Sequence, residues 1–202
     1  MSSSSSSPKP DPGLARLTNL LGAWALAVSD RVTAAAAVAA GRGGQAPAAI
    51  VALDQFAEGG TIEQLRDVLG LTHSATVRLV DGLVSDGHVA RRHRAGDRRS
   101  VALRLTPAGR AAARRIARAR ATAVAEPLAG LTAAERVSLT ALAERLTGDL
   151  AALRVEQRAV GEPPAGGWLC RLCDFDACGR PEGRCPAAVR ARDAVAGQAG
   201  GG

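Results

Sequence analysis

Four cysteines lie within sixteen consecutive positions near the end of this 202-residue chain, which has no others. They follow a C-x2-C-x4-C-x6-C spacing: Cys170, Cys173, Cys178 and Cys185. The first pair is a common metal-chelating turn, and glycines at 179 and 183 let the chain fold back around an ion. No secretory signal is visible, so we expect reduced thiols rather than structural disulfides. We therefore interpret segment 161–190 as one four-thiolate metal site.

Several chemistries fit these ligands. Tetrahedral thiolate ligation suits zinc, and a closed four-thiolate zinc site is by default a structural staple. An iron–sulfur cluster is an alternative, because the Cys185-Pro186 ending is similar to ferredoxin-type runs. The spacing matches no standard motif, so a thiol–disulfide switch and unligated thiols also stay open. A cluster or a labile zinc would make the segment a sensor, acting through the helix that ends near Arg158.

Arginine supplies nearly all the positive charge of the chain. The formal net charge is +7, the sequence pI is about 10.7, and Lys9 is the only lysine. Positions 78–120 hold twelve arginines against three acidic residues, a placement that a GC-rich coding bias does not explain. Arginine suits bidentate contacts with phosphate and guanine. Aromatic residues make up 2% of the chain, too few to stack single strands, so duplex DNA is the expected partner.

A helix-turn-helix pattern lies at the start of this region. Thr61 and Gln64 have the spacing of a capping box, and Gly70 is a natural left-handed stop for the helix they begin. A second helix follows and runs to about position 86, with its apolar residues on one face. Such a second helix is free to enter a major groove.

The polar face of the second helix contains the candidate DNA-reading residues. His73, Ser74 and Arg78 lie early on this helix or face away from its apolar side. We predict that they reach base edges, with Arg78 the strongest of the three. For His73, a helix cap or an ordinary surface position is an equal alternative.

Two short strands are predicted directly after the helices, over positions 88–93 and 100–105. The second alternates apolar and other residues with the period of a half-buried strand. The connection contains a glycine for the turn and three arginines: Arg94, Arg98 and Arg99. A hairpin appended to a helix-turn-helix is a wing, and its arginines suit phosphates or a narrow minor groove. We predict a phosphate contact for Arg94 and a minor-groove contact for Arg98 or Arg99.

Four fragments carry a family resemblance. They are Thr76-Val77-Arg78-Leu79-Val80-Asp81, then Gly87-His88-Val89 followed by Arg91-Arg92, then Asp97-Arg98-Arg99, and last Leu105-Thr106-Pro107-Ala108-Gly109. In this order and at these spacings, they resemble the MarR family of winged-helix regulators. The resemblance covers about residues 14–155. It implies that Asp97 pairs with a wing arginine and fixes the tip without touching DNA. It also implies a homodimer and a small-molecule effector in many members, which nothing in this sequence identifies.

The fold class that follows is mainly α: a winged helix-turn-helix with a two-stranded wing, between long N- and C-terminal dimerisation helices. Residues 1–12 are a Ser/Pro-rich tail that we expect to be disordered, and 13–46 an N-terminal dimerisation helix and linker. The DNA-binding domain spans 47–106, the C-terminal dimerisation helices 107–160, and a glycine-rich tail 191–202. Apolar stripes on the long helices fit either a core or a dimer interface.

We therefore expect a cytoplasmic, DNA-binding transcriptional regulator, a repressor by its resemblance, that binds pseudo-palindromic duplex DNA as a homodimer. The metal-bound state or the redox state of the cysteines would modulate this regulator. The chain lacks carboxylate pairs, nucleophile patterns and phosphate loops, so we do not expect an enzyme, and no membrane partner is expected. The alternative is a redox or metal-handling protein that uses the winged helix only as an interaction module.

Overall fold

The computed structural model of the protein describes residues 11–94, 97–162 and 166–199, with their side chains except at 93, 94, 97–100, 198 and 199. The elements of this part of the chain are α1 Pro12–Ala40, α2 Ala46–Gln55, α3 Ile62–Leu69, α4 His73–Ser85, β1 Val89–Arg94, β2 Asp97–Leu105, α5 Pro107–Ala125, α6 Ala133–Ala159 and α7 Pro186–Ala199. A 3-10 turn, Glu126–Leu128, links α5 to α6. The predicted mainly helical fold with a two-stranded wing is confirmed.

Local hydrogen bonds begin α3 where the sequence predicted. The Gln64 N–H donates to Thr61 Oγ1 at 3.3 Å, and the Thr61 N–H donates to Gln64 Oε1 at 2.9 Å. Thr132 and Glu135 form the same capping box at the start of α6. These bonds satisfy backbone donors that have no partner inside the helix, which is why each helix begins at its box.

The wing is longer than the sequence indicated. Strands β1 and β2 pair antiparallel up to Arg94, which lies opposite Asp97, whereas the sequence assigned positions 94–99 to the connection. Charged residues near the tip hide the alternation that marks a strand, but backbone pairing does not depend on it. Gly60 adds a short bridge to β2, because the Leu103 N–H donates to the Gly60 carbonyl at 2.8 Å.

One hydrophobic core holds the helix-turn-helix, the wing and α5 together. Its largest fully buried aliphatic side chains are Ile50, Leu53, Leu65, Leu69, Val80, Leu83, Leu103 and Ile116. Helix α2 lies in the middle, with every residue from Ala46 to Leu53 buried. Each such leucine or isoleucine stabilises the fold by about 1.5–3 kcal/mol relative to an exposed one. The core therefore fixes α3 and α4 against the wing.

Helix α1 packs along α5 of the same chain. Arg31 Nε donates to the Ala123 carbonyl at 3.2 Å, and the Arg31 guanidinium pairs with Glu126. Arg115 Nε donates to the Ala39 carbonyl at 3.2 Å. Of the helices described, α1 alone is long and apolar enough by composition to cross a membrane. Its charged middle and its packing on α5 instead fit a helix of a protein interface.

Helix α7 extends into the predicted C-terminal tail. Positions 191–202 were assigned to a glycine-rich tail, but α7 continues to Ala199 and packs along α6. At Gly148 of α6, an added Cβ would lie 2.7 Å from Arg190 Cγ. Arg190 also pairs with Asp149 at 3.0 Å. The tail is shorter than predicted, because packing on α6 stabilises a helix that its own composition does not.

Two apolar stripes lie exposed on the long helices. Their members on α1 are Leu14, Leu17, Leu21 and Trp24, and those on α6 are Leu139, Leu142, Leu146, Leu150 and Leu153. The sequence left open whether these residues belong to a core or to an interface. In the single chain they are not core, and contiguous exposed apolar surface of this extent is typical of an interaction site.

Candidate nucleic-acid interface

Helix α4 has one buried face and one exposed face. Thr76 and Val80 are fully buried in the core. His73, Ser74 and Arg78 are all exposed, as the helical periodicity predicted. This is the arrangement of a recognition helix, in which the exposed face can enter a major groove. The contacts of these three side chains with bases stay predictions.

The three exposed side chains differ in their freedom to reach DNA. His73 Nδ1 lies 2.5 Å from Glu63 Oε1 on α3, so one of its ring nitrogens already has a partner. The Ser74 hydroxyl lies 3.4 Å from that of Thr72. Arg78 forms no ion pair with any side chain that the structure describes. Its guanidinium is therefore the best placed of the three for a bidentate contact with guanine.

A salt bridge connects the recognition helix to the wing. Arg91 Nη2 of β1 lies 2.7 Å from Asp81 Oδ1 of α4. Both side chains are partly exposed, so the pair contributes at most about 1 kcal/mol to stability. It nevertheless orients β1 relative to α4. Sequence reasoning missed this pair, because neither spacing nor periodicity relates a helix residue to a residue on the following strand.

The predicted wing contacts lie at the hairpin tip. Arg94 and Asp97 form the last backbone pair of the two strands, and Arg98 and Arg99 continue along β2. The side chains of these four residues lie outside the described part of the structure. Their predicted roles, including the pairing of Asp97 with an arginine, therefore stay predictions. Arg92, nearer the base of the wing, has an exposed side chain.

A tight junction anchors the wing to α5. Thr106 caps α5 by accepting a hydrogen bond from the Gly109 N–H at 3.0 Å, and its hydroxyl donates to the Gly87 carbonyl at 2.6 Å. A Cβ at position 109 would overlap the His88 carbonyl oxygen. The junction accordingly requires glycine, which gives a physical reason for the Thr106-Pro107-Ala108-Gly109 sequence.

The winged helix-turn-helix also matches a known family in sequence. Residues 44–100, from the region of α2 to the wing, match the family described as the MarR family. Over its winged helix-turn-helix, the chain is similar to the MarR family. The resemblance carried by the recognition-helix and wing fragments is therefore confirmed. The family it points to is one of DNA-binding transcriptional regulators rather than of enzymes. No curated protein matches the sequence.

Solved structures of similar fold cover about two thirds of this chain. RV1404 from Mycobacterium tuberculosis is 22% identical with a TM-score of 0.59, over 70% of this chain and 96% of that one. The MarR repressor of Listeria monocytogenes 4b F2365 is 21% identical with a TM-score of 0.52, over 66% and 92%. A mutant of S. aureus MepR, bound to an oligodeoxyribonucleotide, is 14% identical with a TM-score of 0.52, over 66% and 97%. At these identities the likeness establishes the fold.

The C-terminal segment brings the four predicted metal ligands together as free thiols. Cys170 and Cys173 are close enough to influence each other's acidity, as are Cys178 and Cys185. The Cys178 thiol donates to the Phe175 carbonyl at 3.4 Å. The first turn is closed by the Cys173 N–H, which donates to the Cys170 carbonyl at 2.8 Å. Cys185 is buried between the segment and α6, in contact with Ala151. The C-x2-C turn inferred from the sequence is present.

Pairing and burial change the acidity of the thiols. The hydrogen bond from Cys170 lowers the pKa of Cys173 to about 6, and the positive charges of Arg120 and Arg180 add to this effect against burial. The same hydrogen bond, together with burial, raises the pKa of Cys170. Burial raises the pKa of Cys178 to about 11. A pair that shares a proton in this way releases the first proton readily and the second reluctantly.

The four sulfur donors and the positive charge around them suit a metal ion. The present positions of the thiols do not form a complete set of ligands. Among the described residues, no group of three or more His, Cys, Asp or Glu side chains is set to hold an ion. Zinc requires four sulfurs in a tetrahedron, each about 2.3 Å from the ion. A zinc ion with four thiolates carries a net charge of −2, and Arg120, Arg154 and Arg180 all lie within electrostatic range of the thiols. Zinc, a cluster and a thiol switch stay predictions.

Sequence reasoning missed where the cysteine segment lies. It packs on the helix-turn-helix as well as on α6, through contacts that involve three of the four aromatic residues of the chain: Phe56, Trp168 and Phe175. The scarcity of aromatic residues was visible in the sequence. Their gathering was not, because Phe56 is more than one hundred positions from the other two.

Proposed function

We propose that this protein is a repressor that binds pseudo-palindromic duplex DNA as a homodimer in the cytoplasm. The observation that carries the proposal is the exposed face of α4, where Arg78 pairs with no described side chain, held beside an arginine-rich wing. A recognition helix and a wing on one rigid core read adjacent grooves of a duplex. The MepR variant of similar fold, which was solved with an oligodeoxyribonucleotide, supports duplex DNA as the partner.

The exposed stripes on α1 and α6 support the homodimer. Each stripe spans several turns of a long helix, and together they present a surface that is apolar along its length. A two-fold dimer uses the same surface of both copies, so two stripes per chain can cover two stripes of the partner. Two recognition helices related by this symmetry would read half-sites about 34–36 Å apart.

The test is selection of DNA sites from random duplexes, followed by fluorescence anisotropy on the selected site and a shuffled one. We expect the selected duplex to bind at least about 1,000-fold more tightly and to contain inverted half-sites. Arg78→Ala should weaken binding by about 1–3 kcal/mol, or roughly 5- to 150-fold, and relax one base position of each half-site. Arg192→Ala, which alters an arginine of α7 away from the winged helix, is the matched control. Equal binding to selected and shuffled duplexes would refute sequence-specific regulation.

Repression needs its own measurement. In vitro transcription from a promoter that overlaps the selected site should fall as the protein is added, because a bound dimer excludes polymerase. A rise in transcript would instead identify an activator.

A second proposal concerns the cysteine segment, which we infer to be a metal or redox site that modulates the regulator. The clustering of all four thiols, with three arginines around them, supports it. Elemental analysis and an absorption spectrum of protein purified without oxygen decide between the alternatives. Colourless protein with about one zinc per chain indicates zinc; brown protein with iron and sulfide indicates a cluster. A metal-free protein whose reduced and oxidised forms bind the operator equally would exclude both metal and thiol control.

The runner-up function is a redox or metal-handling protein whose winged helix is only an interaction module. The specificity ratio on duplex DNA separates it from the regulator, since an interaction module has no reason to prefer one duplex over another.

A further inference from the structure

Hydrogen bonds from its backbone N–H groups tie the cysteine segment to α3 and α2. The Trp168 N–H donates to the Val68 carbonyl at the end of α3, at 2.8 Å. The Phe175 N–H donates to Gln55 Oε1 at the end of α2, at 3.1 Å. From the other side, the Arg154 guanidinium of α6 donates to the Gly167 carbonyl. The segment thus bridges the DNA-binding domain and the C-terminal helices.

Two glycines let the segment approach α3 more closely than any other residue would. Gly70 ends α3 with φ 65°, and Gly167 has φ 72°. A Cβ on Gly70 would lie 2.5 Å from the Gly167 nitrogen. A Cβ on Gly167 would lie 2.5 Å from the Val68 oxygen and the Leu69 carbonyl carbon. These distances are too short for backbone atoms, so a side chain at either position would push the segment away.

An aromatic cluster closes the contact. The Phe56 ring meets Trp168 edge to face at 5.4 Å and Phe175 edge to face at 4.4 Å, measured between ring centroids. The Arg180 guanidinium lies over the Phe175 ring at 4.6 Å. Leu172 packs against the main core of the winged helix. Edge-to-face pairs of this kind are favourable beyond the area they bury.

The contact lies immediately before the recognition helix. Gly70 is followed by the two-residue turn that ends at Thr72, the cap of α4. The place where α3 ends therefore sets the place and direction in which α4 begins. We propose that segment 166–180 is an internal clamp that positions the recognition helix for DNA. The inference rests on the proposed DNA-binding function of α4.

The clamp also changes the route by which the cysteines would act. Cys170, Cys173 and Cys178 alternate along the chain with the residues that touch the winged helix: Trp168, Leu172, Phe175 and Arg180. Any bond or ion that joined the thiols would therefore also keep these contacts with the winged helix in place. The signal would reach α4 directly at the end of α3, rather than only through the helix that ends near Arg158.

Gly167→Ala tests the clamp, and the chain offers a matched control. Gly161 has φ 78° and no atom within 4 Å of an added Cβ, so Gly161→Ala carries the same backbone strain without the clash. Both variants leave the cysteines and the exposed face of α4 unchanged. Operator affinity is measured by anisotropy in the full-length protein, and amide hydrogen exchange follows the Trp168 N–H.

We expect Gly167→Ala to raise the operator Kd at least about fivefold over Gly161→Ala, a coupling typical of linked sites, with faster exchange at Trp168. Trp168→Ala, which removes the aromatic contact without backbone strain, should shift the Kd in the same direction and covers the case in which Gly167→Ala does not fold. Equal affinities of the two alanine variants, or tighter binding by Gly167→Ala, would overturn the clamp while leaving DNA binding intact. Failure of the unaltered protein to prefer any duplex would instead overturn the proposed function, and the clamp with it.

Discussion

Truncating one leucine of the α6 stripe should weaken the proposed dimer by an amount that the structure sets. Leu146 lies in the middle of the stripe and keeps 47% of its surface exposed in the single chain. None of the described residues covers its exposed half, which leaves that half for another chain to bury. Leu146→Ala should therefore change dimer dissociation far more than it changes the folding of one chain.

The magnitude follows from the exposed fraction. Complete burial of a leucine side chain is worth about 1.5–3 kcal/mol, so covering the exposed half is worth about 0.7–1.5 kcal/mol per chain. A two-fold interface contains the residue twice, which doubles this to about 1.5–3 kcal/mol per dimer. Each 1.4 kcal/mol is tenfold in affinity, so the dimer dissociation constant should rise by roughly 10- to 150-fold.

Sedimentation equilibrium over a range of protein concentrations measures this shift. Val195→Ala is the control, because Val195 is also exposed, at 56%, but lies on α7 outside both stripes. The control should dissociate at the same concentration as the unaltered protein. If Leu146→Ala and Val195→Ala dissociate alike, or if the unaltered chain is monomeric at high concentration, the stripe is not the interface and the reasoning is refuted.

Three further measurements test the wing, the start of α6 and the junction before α5. Arg99→Ala should weaken operator binding and reduce the slope of log K against log salt concentration by about one for each phosphate that the wing no longer reaches; an unchanged slope would count against the wing assignment. Hydrogen bonds from the Thr132 N–H and hydroxyl lower the pKa of Glu135 below its ordinary value of 4.5. The ionised carboxylate therefore stabilises α6 fully above pH 4.5, and this stabilisation is lost as the pH falls through the lowered pKa. Circular dichroism should show this helicity loss in the unaltered protein but not in Glu135→Gln. Gly109→Ala should lower the midpoint of thermal unfolding, because the added Cβ overlaps a backbone oxygen, whereas Gly22→Ala on α1, with open space around it, should raise it slightly. Equal shifts for the two variants would contradict the close approach of position 109 to His88.

Local signals in the sequence were sufficient to place most helices. The capping boxes at Thr61 and Thr132 and the stop at Gly70 involve residues within four positions of each other. Their hydrogen bonds therefore form whatever the rest of the chain does. The predicted start and end of α3 and the predicted end of α4 agree with the structure to within a residue or two. The exposed face of α4 was also predictable from the sequence. Once the start of a helix and its apolar face are known, the residues on the opposite face follow from the helical period.

Elements that depend on packing were predicted less well. The wing strands extend to Arg94 and Asp97 because each supplies backbone partners to the other, irrespective of side-chain pattern. Helix α7 extends to Ala199 because α6 lies beside it. In both cases the stabilising partner is another segment, which no window of sequence contains.

The order of residues along the chain was enough to identify the parts that chemistry requires: four thiols at chelating spacing, an arginine-rich wing, and a recognition helix of the MarR type. What these parts touch depends on how the chain packs. Packing leaves the leucine stripes of α1 and α6 exposed, and it sets Gly167 against Gly70 at the end of α3. The cause of this division is distance along the chain. Spacing and periodicity relate residues a few positions apart, whereas Gly70 and Gly167 meet only because the core and α6 bring their backbones together.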